Sequence, residues 1–132
     1  MGAYDSKLIE QHGMLYFVPP DGRNVPLFRL ASDCGYRIDT ICERLDVSPR
    51  HFRRLFQSLL GISPKSWLKA ERMVFARNLL RGGHSIKQVS EKLGYSAQKE
   101  FYREFMQYYK VAPSEFRSRE SERAMSQLGW AV

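Results

Sequence analysis

The chain has 132 residues, of which 43% are hydrophobic, and it carries a formal net charge of +7 at pH 7. A chain of this length and hydrophobic content can bury the core of about one domain, or of two very small ones, which excludes a disordered tail. The excess of lysine and arginine indicates a polyanionic partner such as nucleic acid or an acidic membrane surface.

Residues 1–26 are expected to be an N-terminal extension with at most a short hairpin. The apolar run MLYFV precedes the turn-forming PPDG, and RNVPLF could supply the second strand.

From Leu27 onward helix signals replace strand signals. LFRLASDCG predicts a short helix that ends at Gly35. IDTICERLDV predicts the next helix, which has one apolar stripe formed by Ile38, Ile41, Cys42 and Leu45.

Two serine–proline pairs mark the starts of the next two helices. In each pair the serine is expected to cap the helix and the proline to occupy its first turn. The first helix begins at Ser48 and ends at Gly61. The second begins at Ser63 and covers about Pro64 to Arg81, which at 1.5 Å per residue is a length of about 27 Å.

The remaining chain predicts three further helices. Ser85 and Gln88 match a capping box, and the helix that they begin ends at Gly94. AQKEFYREFMQYY predicts the next helix. Pro113 begins a last one, which should extend into a C-terminal helical tail over residues 118–132.

The two halves of the chain contain an internal repeat. Five positions of the first half match the second half at an offset of 48, and five more match at 49 because the second turn has one extra residue. The matched pairs are Ile38 with Ile86, Ile41 with Val89, Glu43 with Glu91, Leu45 with Leu93, Ser48 with Ser96, Phe52 with Phe101, Arg54 with Arg103, Phe56 with Phe105, Pro64 with Pro113, and Trp67 with Phe116. Each unit, about 37–61 and 85–110, therefore predicts a helix-turn-helix.

The second helix of the first unit has an apolar face and a cationic face. At about 100° per residue the apolar face comprises Phe52, Leu55, Phe56 and Leu59. The opposite face comprises Arg50, Arg53, Arg54 and Gln57. Solvated helix faces usually mix charges of both signs, whereas this helix contains no acidic residue. Guanidinium and amide groups read base edges and bind phosphates, so we predict that this face contacts DNA rather than only solvent.

The second helix of the second unit is less polarised. Its predicted DNA-binding residues are Gln98, Lys99, Tyr102 and Arg103, with Met106 on the same face. Its predicted core face comprises Phe101, Phe105 and Tyr108. The flank holds Gln107 and two carboxylates, those of Glu100 and Glu104, which would repel phosphate if they faced it. We therefore expect this helix to contact DNA more weakly than the first.

The two units, the long helix between them and the segment VAPSEFR resemble the DNA-binding domain of the AraC/XylS family of bacterial transcription regulators. The similarity covers about residues 27–117 and is most specific over SIKQVSEKLGYSAQKEFYREFMQYYKVAPSEFR. It implies a homeodomain-like, all-α domain of about seven helices, with two helix-turn-helix lobes joined by the long helix. It also implies that both recognition helices enter successive major-groove segments of promoter DNA. The base-reading positions of the family fall on Arg50, Arg53, Arg54, Gln98, Lys99, Tyr102 and Arg103.

The resemblance implies further properties. Activation is the commoner outcome in the family, and it requires contact with RNA polymerase. Helix N-termini of the family tend to hold phosphates, which here would be those at Arg37 or Ile38 and at Ser85. Major-groove segments recur about 34 Å apart, so a linker helix near 27 Å requires either bent DNA or one recognition helix that is seated less deeply, and we predict bent DNA.

The sequence departs from the family pattern at three places. Asp46 and Lys110 stand where the family usually has glycine, and Arg37 replaces a small polar helix cap. A residue other than glycine in a left-handed turn costs about 1 kcal/mol, so we expect the fold to tolerate these changes. Lys110 would add a phosphate contact.

Many family members carry a separate β-rich effector-binding or dimerisation domain, for which residues 1–26 are too few. The chain is therefore either a short complete regulator or the C-terminal piece of a longer one, and we expect no small-molecule ligand in it. We also expect no membrane contact and a cytoplasmic, nucleoid-associated location, because no apolar run reaches the ~20 residues of a membrane span.

Metal or cofactor binding, enzymatic catalysis and binding without sequence specificity are the alternatives to sequence-specific DNA recognition. Cys34 and Cys42 form no CxxC pair and the three histidines are scattered, so we predict buried reduced thiols, no metal and no cofactor. The sequence has no glycine-rich phosphate loop and no paired acids or Cys–His motif of catalytic type, which argues against an enzyme. The remaining alternative is a basic helical module that binds RNA, acidic protein or membrane without sequence specificity.

Overall fold

The computed structural model describes residues 5–127, in which three short strands precede seven helices. The strands are β1 (Lys7–Gln11), β2 (Met14–Val18) and β3 (Val25–Pro26). The helices are α1 (Leu27–Asp33), α2 (Ile38–Leu45), α3 (Pro49–Leu60), α4 (Pro64–Arg81), α5 (Ile86–Lys92), α6 (Gln98–Tyr109) and α7 (Pro113–Gln127). The mainly helical fold class with seven helices is confirmed, and the structure adds a small sheet. Residues 128–132 of the predicted tail lie outside the described part of the chain.

The chain divides into two compact units at Arg72 and Met73, so the first half of α4 belongs to one unit and the second half to the other. Each unit contains one helix-turn-helix, formed by α2 and α3 in the first and by α5 and α6 in the second. Among the described residues, no helix is both long enough and apolar enough to span a membrane.

The N-terminal sheet is antiparallel, with strand order β1-β2-β3. β1 and β2 pair over their full length, from Lys7 opposite Val18 to Gln11 opposite Met14. The sequence predicted a hairpin across PPDG, and there β2 and β3 pair only at Tyr16 with Pro26 and at Phe17 with Val25. The longer β1–β2 hairpin was missed.

The core of the first unit joins the sheet to the helices. The ring centroid of Phe17 on β2 lies 6.5 Å from that of Phe52 on α3. Phe56 on α3 lies 5.0 Å from Phe52 and 5.6 Å from Trp67 on α4. Leu8, Leu15 and Phe17 of the N-terminal sheet are therefore part of this unit's core. The buried members of the cluster are Leu8, Leu15, Phe17, Leu27, Ala31, Cys34, Ile41, Cys42, Val47, Phe52, Phe56 and Leu68.

Both cysteines are buried and free, as the sequence predicted. Burial raises the pKa of both thiols, and that of Cys42 to about 11. The thiols are therefore protonated at neutral pH and act as small apolar core side chains.

The core of the second unit has the same aromatic arrangement. Phe101 and Phe105 on α6 lie 5.7 Å apart, and Phe105 lies 5.8 Å from Phe116 on α7. The Tyr109 hydroxyl donates a hydrogen bond of 3.0 Å to the Met73 carbonyl oxygen, which attaches the end of α6 to α4. Among the described residues of this unit, the other fully buried side chains are Met73, Ala76, Leu80, Val89, Leu93 and Pro113.

The structure corrects the predicted apolar faces of α3 and α6 at one position each. Leu59 and Tyr108 were assigned to the core, but their side chains are 43% and 41% exposed. Leu60 packs against the core of the first unit instead, and Tyr109 packs against Phe105 at 4.7 Å.

The core rows of the two recognition helices have the same spacing. They are Phe52, Phe56 and Leu60 in α3 and Phe101, Phe105 and Tyr109 in α6. Both follow i, i+4, i+8 spacing, a ridge that helices commonly present to their neighbours. The pair Leu60 and Tyr109, which are 49 positions apart, thus adds one matched position to the repeat.

Candidate nucleic-acid interface

Helix α3 is fixed at both ends. Its first turn contains Pro49, and the Ser48 hydroxyl accepts a hydrogen bond of 3.1 Å from the backbone N–H of His51. At its C-terminus Gly61 adopts a left-handed conformation with φ of 70°. Both features match the predicted caps. Because the ends are capped and the apolar row is buried, the polar face of α3 has a defined orientation within its unit.

His51 also connects α3 to the sheet, which the sequence analysis did not anticipate. Its Nε2 atom lies 3.2 Å from the Ser6 hydroxyl, immediately before β1. On the helical wheel His51 falls between the cationic and apolar faces, where a half-buried polar group is expected. The position of His51 on the wheel therefore indicates a half-buried polar residue, but it does not identify Ser6 as its partner.

The predicted DNA-binding residues of α3 lie together on its exposed face. The side chains of Arg50, Arg53, Arg54 and Gln57 are all exposed. The ion pairs found within residues 5–127 involve none of these three arginines. Unpaired guanidinium groups can bind phosphate or the acceptor edge of guanine without first breaking an internal ion pair.

The turn before α6 differs from the turn before α3 because of its extra residue. Ser96, which the repeat matches to Ser48, lies one residue before the helix cap, and the cap itself is Ala97. No side chain caps α6. The Ser96 hydroxyl instead donates to the carboxylate of Glu100 at 3.2 Å. The repeat in sequence therefore preserves the fold of the turn without preserving the role of its serine.

The carboxylates of α6 are held by neutral donors. The Tyr95 hydroxyl donates a hydrogen bond of 2.8 Å to Glu104 Oε1, and Ser96 bonds Glu100. Neither carboxylate forms an ion pair in the described part of the chain. Lys99 and Arg103 on the basic face are therefore not neutralised by them.

Helix α6 exposes the four residues that the sequence predicted as DNA contacts. Gln98, Lys99 and Arg103 are exposed, and Tyr102 is 37% exposed. The Tyr102 hydroxyl lies 3.3 Å from the hydroxyl of Ser114 in the first turn of α7. A tyrosine hydroxyl can still form a second hydrogen bond, so the contact of Tyr102 with a base edge, or its stacking on sugar or methyl groups, stays a prediction.

The N-termini of α2 and α5 differ as candidate phosphate sites. Arg37 begins α2 without a side-chain cap, and Asp39 lies in the first turn, where its carboxylate would repel a phosphate. The Asp39 carboxylate accepts a bond of 3.0 Å from the Thr40 N–H and lies 4.0 Å from Arg37 Nε. By contrast, α5 has a complete capping box of Ser85 and Gln88 and no acidic residue in its first turn. The predicted phosphate contacts at both helices remain predictions.

Two residues other than glycine end helices of the helix-turn-helix units in a left-handed conformation. Asp46 after α2 has φ of 54°, and Lys110 after α6 has φ of 62°. These are positions where the sequence analysis expected a glycine-like turn. Lys110 donates its backbone N–H to the Met106 carbonyl oxygen at 2.8 Å and has an exposed side chain.

Comparison with known proteins identifies relatives of this chain. A family model described as a helix-turn-helix domain matches residues 41–119. The chain is 33% identical over 87 residues to the regulatory protein PocR of Salmonella typhimurium, an alignment that covers 65% of this chain and 29% of PocR. The chain thus spans less than a third of that relative's length.

Several solved structures resemble the chain. A transcriptional regulator from Chromobacterium violaceum, described as containing an AraC-type DNA-binding domain, has a TM-score of 0.60 and 26% identity, covering 71% of this chain and 87% of that one. The DNA-binding domain of the global transcriptional factor AdpA, in complex with a target DNA, has a TM-score of 0.63 and 25% identity, covering 72% of this chain and 89% of that one.

Proposed function

The chain belongs to the AraC-type helix-turn-helix family of transcription regulators, and from this premise we propose that it binds promoter DNA sequence-specifically through α3 and α6. The observation that carries the proposal is the exposed cationic face of α3. Its three arginines have no ion-pair partner within residues 5–127, and the opposite row of the same helix is buried. An amphipathic helix of this kind presents a fixed array of donors to a major groove.

We assign most of the binding free energy to α3. Arginine donates in bidentate fashion to O6 and N7 of guanine, and a glutamine amide can pair in the same way with adenine. Arg50, Arg53 and Arg54 supply the first kind of donor and Gln57 the second. Arginines that do not reach a base edge bind the phosphates that flank it.

Helix α6 makes the weaker contact in this proposal. Gln98, Lys99 and Arg103 supply polar and cationic groups, and Tyr102 packs on sugar or methyl groups. The proposal is supported by the hydrogen bonds that hold Glu100 and Glu104 to neutral donors. Two carboxylates on the same helix still reduce its attraction for phosphate, so α6 should contribute less to the salt dependence of binding.

The proposal also covers the geometry of the bound DNA, the effect on transcription and the location of the protein. The two recognition helices enter successive major-groove segments of a bent duplex, and the bound regulator activates transcription by contacting RNA polymerase. A protein of this function acts where the chromosome lies, in the cytoplasm and associated with the nucleoid. No small-molecule ligand or membrane is required for DNA recognition in this proposal.

Selection of bound sequences from a random duplex pool tests the central claim. The enriched duplex and a scrambled version of it are then compared in gel shifts at about 50 and 200 mM salt, and both affinities should fall as salt rises. The enriched duplex should bind at least about a thousandfold more tightly than the scrambled one at the same salt. Equal affinity for both duplexes would favour the alternative, a basic module without sequence specificity.

A further inference from the structure

The first unit contains an apolar groove with a volume of about 410 Å³. The β1–β2 turn, α1, the C-terminal end of α3 and the first half of α4 form its walls. Phe28 and Ile62, each 41% exposed, lie beside the half-buried Trp67 in its lining. Large apolar side chains that are grouped and exposed in this way mark a surface that a partner can cover.

The charged residues that line the groove are both acidic. They are Glu10 and Glu71, and no lysine, arginine or histidine lines it with them. Neither carboxylate forms an ion pair within residues 5–127. Burial raises the pKa of Glu71, which means that its charge is partly removed from water without a compensating cation. A local concentration of uncompensated negative charge is unexpected in a chain whose net charge is +7.

The groove is unsuited to nucleic acid. Its two carboxylates would repel phosphates. It also lies at Leu60, the last residue of α3, and at Ile62 just beyond it, whereas the recognition helix of a helix-turn-helix contacts bases through its N-terminal residues. At 1.5 Å per residue the 12 residues of α3 place these ends about 18 Å apart.

We propose that this groove docks a segment of another protein in which a lysine or arginine lies next to a bulky apolar side chain. The cation pairs with Glu71 and Glu10, and the apolar side chain covers Phe28, Ile62 and Trp67. A cavity of this volume is at the small end of ligand pockets and fits a few side chains, as expected for a short peptide segment. The pairing of a desolvated charge with apolar anchors is typical of the residues that dominate binding at protein interfaces.

Peptide selection on the intact chain tests this proposal, and it does not depend on DNA binding. A phage library of short random peptides is selected on the immobilised chain, and peptides that also bind the Glu71→Gln, Ile62→Ser double variant are removed. The enriched peptide is synthesised, and its affinity is measured by fluorescence anisotropy. The chains compared are the wild type, the Glu71→Gln and Ile62→Ser variants, and a control variant, Glu43→Gln, which alters an exposed carboxylate outside the groove.

The enriched peptides should share a cation beside an aromatic or aliphatic residue. Glu71→Gln should weaken their binding about tenfold or more, because an unpaired cation is left at the interface. Glu43→Gln should leave the affinity unchanged. Glutamine is nearly isosteric with glutamate, so Glu71→Gln remains informative even if Ile62→Ser lowers the melting temperature.

Three outcomes would overturn the proposal. The first is failure of the library to enrich any peptide, and the second is enrichment of peptides that lack a cation or bind Glu71→Gln as well as the wild type. The third is concentration-dependent dimerisation of the chain that Ile62→Ser abolishes in sedimentation experiments, because the groove would then be covered by a second copy.

Discussion

Arg54 is the arginine of α3 that has an arginine, Arg103, as its counterpart in the second unit. If it reads a base edge, Arg54→Ala should weaken binding to the selected duplex by about 1–3 kcal/mol and relax selectivity at one base position. Gel shifts against duplexes changed at one base pair at a time measure both effects. Arg29→Ala removes an exposed arginine from α1 and serves as the charge-matched control. An equal loss of affinity for every duplex would reassign Arg54 to a phosphate contact.

Lys110 combines an unfavourable backbone conformation with a proposed phosphate contact. Its φ of 62° costs about 1 to 1.5 kcal/mol for a residue with a Cβ atom. Glycine avoids this cost but loses about 0.5–1 kcal/mol through its greater freedom in the unfolded state. Lys110→Gly should therefore raise the free energy of unfolding by up to about 1 kcal/mol in urea denaturation, while DNA binding weakens because a cation is lost.

Asp46→Gly is the matched comparison for Lys110→Gly. Asp46 has a similar φ of 54°, but aspartate tolerates the left-handed region better than lysine does. Its replacement should stabilise the chain less than Lys110→Gly and should not weaken DNA binding. A larger gain at Asp46 than at Lys110 would contradict the conformational explanation.

At the scale of elements, the two recognition helices depend on one buried aromatic row each. Phe56 is fully buried between Phe52 and Trp67. Phe56→Ala should lower the free energy of unfolding by about 3–5 kcal/mol, because it removes a large side chain and leaves a cavity. Leu59→Ala, at an exposed position of the same helix, should cost less than about 1 kcal/mol. Chemical denaturation followed by circular dichroism measures both, and similar losses would mean that Leu59 belongs to the core after all.

Helix boundaries could be predicted from the sequence because the signals that set them are local. Ser48 with Pro49, Gly61, and the pair Ser85 and Gln88 each act within one turn, and the structure has the expected caps at all three places. The core position at the end of each recognition helix could not be predicted in the same way. Whether Leu59 or Leu60 packs inward depends on which neighbouring side chains cover the end of α3, and a helical wheel does not contain that information.

The β1–β2 hairpin was missed because its turn has an unusual sequence. His12 and Gly13 both have positive φ, at 54° and 77°, as a two-residue hairpin turn of type I′ requires. Asn-Gly, Asp-Gly and Gly-Gly are the sequences that signal such turns, and His-Gly is not among them. The segment PPDG carried stronger turn signals, although β2 and β3 pair over only two positions there. The contact between Ser6 and His51 was missed for the same reason. Ser6 immediately precedes β1, so its position beside α3 depends on the β1–β2 hairpin.

For the whole molecule, duplication of the helix-turn-helix has a consequence for the DNA site. The two units share their aromatic cores but differ in charge, because α3 has three exposed arginines and no acid whereas α6 has Lys99 and Arg103 together with two glutamates. Because the two cores are alike and the exposed faces of α3 and α6 differ in charge, we predict two DNA half-sites that are bound with unequal affinity. The half-site bound by α3 should tolerate fewer base changes than the one bound by α6.

The sequences enriched from the random pool should therefore contain two blocks separated by about one helical turn, 10–10.5 base pairs from centre to centre. The block assigned to α3 should lose its selectivity when the pool is selected with Arg53→Ala or Arg54→Ala, and the other block with Arg103→Ala. Each variant should leave the opposite block unchanged, because additivity holds for sites that share no contacts. A single enriched block, abolished by Arg54→Ala and unaffected by Arg103→Ala, would mean that α3 alone reads bases and that α6 only contacts phosphates.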